Sequence, residues 1–177
     1  MAGVRHAIHH RLPYNPVVSG PFAYFLTFTT YGARLHGDER GSWTRATGSN
    51  LSLPVESNEA RLTFEQTEMA HEPIVFDDHA RSVVDQAVHD VCLHREWQLL
   101  GLNVRTNHVH VLVSGSGKPE AMLQGFKSWS TKRLREDGLF PPGVRIWTRH
   151  GSTRYVWSEA DAEDVWLYVV HGQDIQR

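Results

Sequence analysis

Asn107-His108-Val109-His110-Val111-Leu112-Val113-Ser114 is the stretch that decides how this 177-residue chain folds. Side chains alternate faces along a strand, so Val109, Val111 and Val113 point one way and His108, His110 and Leu112 the other. The valine face can enter a core. The opposite face then carries two imidazoles about 7 Å apart along the strand, from a rise of ~3.3 Å per residue. Neutral imidazole is a common metal ligand, so the pair is either a metal site or a structural feature of the strand.

Working outward, Trp97 to Val104 reads as the partner strand of a hairpin, with Arg105-Thr106-Asn107 as its tight turn. Upstream, Val83, Val84, Ala87, Val88 and Val91 recur at helical spacing, and Asp77 or Asp78 can cap a helix running to Arg95. Downstream, Pro119 suits the first turn of a helix reaching Glu136. Its Met122, Leu123, Phe126 and Trp129 face a core, with Lys127, Thr131, Lys132 and Arg135 expected on the surface. Val144 to Thr148 reads as a short strand, and Thr148 to Trp157 as a linker. A last helix starts at Ser158, with Asp161 as its capping-box partner, and ends near Gly172.

Near the N-terminus, Tyr24 to Tyr31 is dense in aromatic and β-branched residues and reads as a strand buried on both faces. Met1 to Pro21 reads as an irregular arm, Gly32 to Pro54 as a long loop, and Glu56 to Glu72 as a short polar helix. The expected organisation is therefore an arm over 1–21 and one domain over 22–177, with an insertion over about 32–75. Strand, helix, strand, strand, helix, strand, helix gives an α+β fold. Its first six elements match a ferredoxin-like βαββαβ antiparallel sheet with two helices on one face. The histidines then lie on the open face, and a C-terminal helix follows.

Composition bounds the function. Cys92 is the only cysteine, which excludes an intrachain disulfide framework or a cysteine-rich zinc site. No apolar run is long enough to span a bilayer, and Met1 to Arg11 lacks the apolar stretch of a signal peptide, so the expected location is cytoplasmic with no membrane partner. The formal net charge of −2 hides an asymmetry. From Arg95 to Tyr155 there are ten Lys or Arg against four Asp or Glu, while the remainder is acidic. Such a split points to a polyanionic partner, with a solvated basic face as the alternative.

In the last helix, at 100° per residue, Tyr168 falls on the same stripe as Asp161, Asp164 and His171, away from Ala162, Trp166, Val169 and Val170. A tyrosine used for packing belongs on the apolar stripe. One on the polar stripe facing a metal-bearing cleft is a candidate nucleophile, since a nearby cation stabilises the phenolate. A tyrosine that simply sits among surface carboxylates is the alternative.

The run Asn107 to Val113 resembles the His-hydrophobe-His signature of single-tyrosine HUH transposases, and Tyr168-Val169-Val170 followed by Gly172-Gln173 resembles their nucleophile helix. Gly37-Asp38-Glu39-Arg40-Gly41, Phe126-Lys127-Ser128-Trp129-Ser130-Thr131 and Trp147-Thr148-Arg149-His150-Gly151-Ser152 are most similar to the branch of REP-associated tyrosine transposases. The resemblance covers about Tyr24 to Gln173.

It implies a metal-dependent endonuclease and strand transferase acting on single-stranded, hairpin-associated DNA through a 5′-phosphotyrosine on Tyr168. His108 and His110 would hold the metal. The family's third ligand, four residues after the tyrosine, is here Gly172, so Gln173 or His171 would take that role. Imidazoles alone favour Zn²⁺ or Mn²⁺ over Mg²⁺, whereas the resemblance implies Mg²⁺ or Mn²⁺. A homodimer, and association with the nucleoid through bound DNA, are further expectations.

Phosphate contacts are expected from Arg40, Arg105, Lys127, Lys132, Arg135, Arg149 and Arg154, and base stacking from Trp129, Trp147 or Trp157, each equally readable as core. Two rival readings stay open. One is a domesticated DNA-binding protein that cuts nothing. The other is a phosphoesterase that uses water.

Overall fold

Strand β1 (Ala23–Thr30) shows why a near-continuous apolar run is needed here: both of its faces are covered. Tyr24, Leu26 and Phe28 enter one core, while Ala23 and Phe25 enter a second core on the other side of the sheet. The computed structural model describes residues 20–33, 42–45, 52–55, 63, 67 and 69–171. The arm up to residue 19, the Gly37–Gly41 stretch with Arg40, and the C-terminal Gly172 and Gln173 lie outside the described residues. So does most of the helix expected over Glu56 to Glu72, of which Thr63 and Thr67 are helical and residues 69–72 are not.

Within the expected loop, β2 (Ser42–Arg45) and β3 (Ser52–Val55) pair antiparallel as a separate ribbon. The prolines and glycines of that segment read as loop. A two-stranded ribbon nevertheless tolerates Pro54, because each strand has a free edge where a missing N–H costs nothing.

Helix α1 (Asp78–Arg95) follows, its first turn closed by Asp77, whose Oδ1 accepts the Ala80 N–H at 2.8 Å. Strands β4 (Gln98–Val104) and β5 (His108–Ser114) form the expected hairpin. Helix α2 (Pro119–Glu136) begins on its proline. Strand β6 (Trp147–Val156) and helix α3 (Glu159–Val170) complete the chain, and Ser158 Oγ accepts the Asp161 N–H at 3.1 Å as the cap of α3.

The main sheet has the order β4-β5-β1-β6 and is antiparallel throughout, so β5 with its histidines is central. Helices α1 and α2 pack on one face, over Val109, Val111 and Val113. This is the ferredoxin-like arrangement expected from the order of elements.

Two features differ from the sequence reading. The second face is not fully open: Ala162, Val165 and Val169 of α3 cover Ala23, Leu112 and Val156. And Thr148 to Val156 is strand, not linker. Strand β6 pairs with β1 from Trp147 opposite Thr30 and resumes at Gly151 opposite Phe28, a bulge in which β6 advances four residues against two of β1. Gly151 is needed there, because a Cβ would lie 2.7 Å from both Leu123 Cδ1 and the Thr27 carbonyl oxygen.

Candidate active site

The β1–β5 register sets Thr27 opposite His110 and Thr29 opposite His108, all on the α3 side of the sheet. The two imidazoles lean together, with ring centroids 4.8 Å apart, closer than the spacing along the strand alone suggests. Each ring is oriented through Nδ1. Asn107 Oδ1 lies 2.7 Å from His108 Nδ1, and as a carbonyl oxygen it accepts that N–H. This fixes the lone pair of His108 on Nε2, the form a metal ligand takes. Thr27 Oγ1 lies 2.8 Å from His110 Nδ1, and His110 is buried. Asn107 and Thr27 are orienting residues that the strand motif did not single out; an asparagine directly before the first histidine was the available signal.

Tyr168 comes to this pair from α3. Its ring centroid is 5.7 Å from that of His110, edge to face, and 6.1 Å from that of Phe25. Phe25 is itself stacked on His110 at 5.5 Å. At 47% exposure Tyr168 is half in solvent, in keeping with its place on the polar stripe.

The C-terminal half of the helix is seated by Val169, whose carbonyl accepts Asn103 Nδ2 at 2.7 Å. Gly101 lies beneath it, where a Cβ would come within 3.2 Å of Trp166. Beside Tyr168 opens a cleft of about 430 Å³ lined by Phe25, Arg154, Asp161, Asp164, Val165 and Tyr168. Among the described residues expected to bind phosphate, Arg154 is the one that lines this cleft.

Two imidazoles with one fixed tautomer suit a borderline divalent ion as part of its donor set. Among the described residues no three His, Cys, Asp or Glu side chains form a metal-holding group, so His171 does not complete one with His108 and His110. Its ring instead meets Trp166 at 5.8 Å. Gln173 lies outside the described residues.

The other basic residues fall elsewhere. Arg105 is in the β4–β5 turn, where its backbone N–H donates to the His108 carbonyl at 2.8 Å. Lys127 departs from its expected surface position: it is 4% exposed. Its ammonium donates to the carbonyls of Thr148 at 2.9 Å, His150 at 2.9 Å and Arg149 at 3.5 Å, so it closes the β6 bulge from beneath. These three residues fall between the ladder pairings of Trp147 and Gly151, and an ammonium with three donors supplies partners for them. Burial holds the Lys127 pKa down to about 8.

Arg135 and Arg149 line a separate groove of about 450 Å³ between α2 and β6, together with Arg145, which the sequence reading missed. Lys132 is exposed and 3.7 Å from Glu136. Of the three candidate tryptophans, Trp147 is buried in the core and Trp129 partly so, while Trp157 is 67% exposed.

Among the described residues no helix is long and apolar enough to cross a membrane. Comparison with known proteins gives a match to the family model described as IS200-like transposase over residues 70–159. The matched span includes the histidine strand and β6 and stops short of Tyr168. No curated protein matches the chain.

Two of the solved structures that resemble it are transposases. One is a REP-associated tyrosine transposase bound to a REP hairpin, at 12% identity and TM-score 0.46, over 88% of this chain and 68% of the other. The second is a candidate transposase from Deinococcus radiodurans R1, at 14% identity and TM-score 0.49, over 96% and 95%. Both stand as likenesses and carry no part of the assignment. The family match alone spans just over half of the sequence, from before α1 through β6 and including the paired histidines, and by it the chain belongs to the IS200-like transposase family.

Proposed function

We propose that this transposase cuts and rejoins single-stranded, hairpin-associated DNA with Tyr168 as nucleophile and a divalent ion, Mg²⁺ or Mn²⁺, at His108 and His110. The observation that carries the reading is the Tyr168 ring 5.7 Å from the His110 ring within one chain, at the mouth of a cleft containing Arg154. The phenolic oxygen attacks the scissile phosphorus, the P–O3′ bond breaks, and the strand is held as a 5′-phosphotyrosine while the 3′-hydroxyl takes up a proton and leaves. Attack by a 3′-hydroxyl on that ester reverses the step and joins strands without ATP.

His108 and His110 would hold the ion, and when bound it would supply Lewis-acid chemistry toward the scissile phosphate. Gln173 is the third donor in this reading, since the His171 ring is engaged with Trp166. Arg154 holds a phosphate at the cleft. Arg105, Lys132, Arg135 and Arg149 contribute to DNA binding away from the cleft, and Arg40 is a further phosphate contact. Lys127 serves the site from beneath by shaping β6. In this reading Tyr168 acts with the histidine pair of its own chain, beside which its ring lies.

Incubation with labelled single-stranded hairpin DNA and Mn²⁺ or Mg²⁺ tests this. The expected product is a covalent adduct that survives SDS and is lost in Tyr168→Phe, while DNA binding by that variant is retained. Cleavage without an adduct would mean a water-using phosphoesterase. Binding without cleavage under either metal would mean a DNA-binding protein that has lost its activity.

A further inference from the structure

The exposed ring of Trp157 does not belong to the Tyr168 cleft and is not part of either core. It stacks in parallel on Tyr155, with centroids 5.9 Å apart and planes 16° from parallel. Tyr155 in turn meets Tyr24 edge to face at 5.4 Å, and the Tyr24 hydroxyl donates to the Gly117 carbonyl at 3.3 Å. The three rings form a ladder fixed at its inner end, with Trp157 as the last rung and 67% exposed.

An exposed indole in a globular surface normally lies flat over apolar side chains. Here it is held by a stack, so its outer face stays available in a fixed orientation. Near the inner rungs is the Glu120 carboxylate, which accepts from Thr153 Oγ1 at 3.4 Å, and the Tyr24 pKa is raised by burial, by Tyr155 and by this carboxylate. A carboxylate repels phosphate. What the ladder offers is therefore a π face, suited to a planar, unpaired ring and not to a backbone anion.

Its position gives that ring a source. Arg154, which lines the Tyr168 cleft, lies in β6 three residues before Trp157, which directly follows the end of that strand, at most about 11 Å along the chain. Arg154 and Tyr155 point to opposite faces of β6, so a strand leaving the cleft past Arg154 rounds the sheet edge and meets Trp157.

We infer that Trp157, backed by Tyr155, is a stacking platform for an unpaired nucleobase of the DNA strand that enters or leaves the Tyr168 cleft. The inference rests on the proposed single-strand substrate, and its test separates the two. Binding of a labelled single-stranded oligodeoxythymidylate and of a blunt hairpin without overhang is measured by anisotropy for the wild type, Trp157→Ala and Trp157→Phe. Trp157→Ala is expected to weaken single-strand binding roughly 5- to 100-fold, from the usual worth of one base–aromatic stack. Trp157→Phe stays within about threefold of the wild type, because the π face remains. The salt dependence is unchanged in both, since no phosphate contact is lost.

Wild-type affinity in Trp157→Ala overturns the platform and leaves the functional reading standing. An equal loss on the blunt hairpin, or a change of oligomeric state in place of a change in affinity, also overturns it. If the wild type binds no single strand, the functional reading fails and the platform with it.

Discussion

Lys127 carries a charge where a charge is costly. It is almost fully buried, and desolvation holds its pKa down to about 8 from an ordinary 10.5. It stays because three carbonyls of the β6 bulge need donors. Between pH 8 and 10.5 the unfolded chain still binds a proton that the native chain has released, so this group's contribution to stability rises with pH across that window. Lys127→Met removes the titration. The difference in unfolding free energy between wild type and Lys127→Met is therefore expected to move in favour of the wild type from pH 7.5 to pH 9.5, measured by urea denaturation. A constant difference would mean that Lys127 titrates at its ordinary value.

The histidine pair and Tyr168 could be found in the sequence because each announces itself by periodicity, two residues apart on a strand or on the polar stripe of a helix. Lys127 could not. Its neighbours Phe126 and Ser130 are buried with it, but a lysine in a helix reads as surface until the bulge that needs it is known.

At the level of elements, α1, α2, β4, β5 and the Ser158 cap of α3 followed from patterning and capping residues, and their bounds agree with it closely. Strand β6 was half missed. Arg149, His150, Gly151 and Ser152 carry no strand pattern, because a bulge breaks the alternation on which the pattern depends. What holds the strand there is tertiary: Lys127 beneath the carbonyls and the full length of β1 beside it.

Gly151 is the tightest point of that fit. A side chain there meets the Thr27 backbone, which cannot swing aside as the Leu123 side chain can. Gly151→Val is expected to destabilise the protein by about 1–3 kcal/mol, read by denaturant midpoint, with a change in the amide resonances of Thr27. Thr27 also bonds His110, so the same substitution disturbs the histidine pair. Wild-type stability in Gly151→Val would mean that β6 lies farther from α2 than described.

For the molecule as a whole, the sheet separates two cores of unequal size. The larger lies under α1 and α2 and buries Phe28, Phe76, Phe126 and Trp147 among many aliphatics, while in the smaller, among the described residues, Ala162, Val165 and Val169 of α3 are buried against Ala23, Leu112 and Val156, with Phe22, Phe25, Leu100 and Trp166 partly buried around them. The proposed nucleophile thus rides on the described helix that packs on the smaller core. Regions with few buried apolar contacts open at lower free energy than the global transition.

Hydrogen exchange should accordingly show the Val165 to Val169 amides opening well before those of Val109 to Val113 in β5. Val169→Ala removes buried methyl groups worth about 1–2 kcal/mol. It should lower protection in α3 while leaving that of α1 and β5 unchanged. If Tyr168 acts from α3 as proposed, adduct yield falls in this variant while affinity for single-stranded DNA holds, because the basic residues lie on other elements. Uniform loss of protection across the sheet and all three described helices would mean instead that α3 is an integral part of one cooperative core.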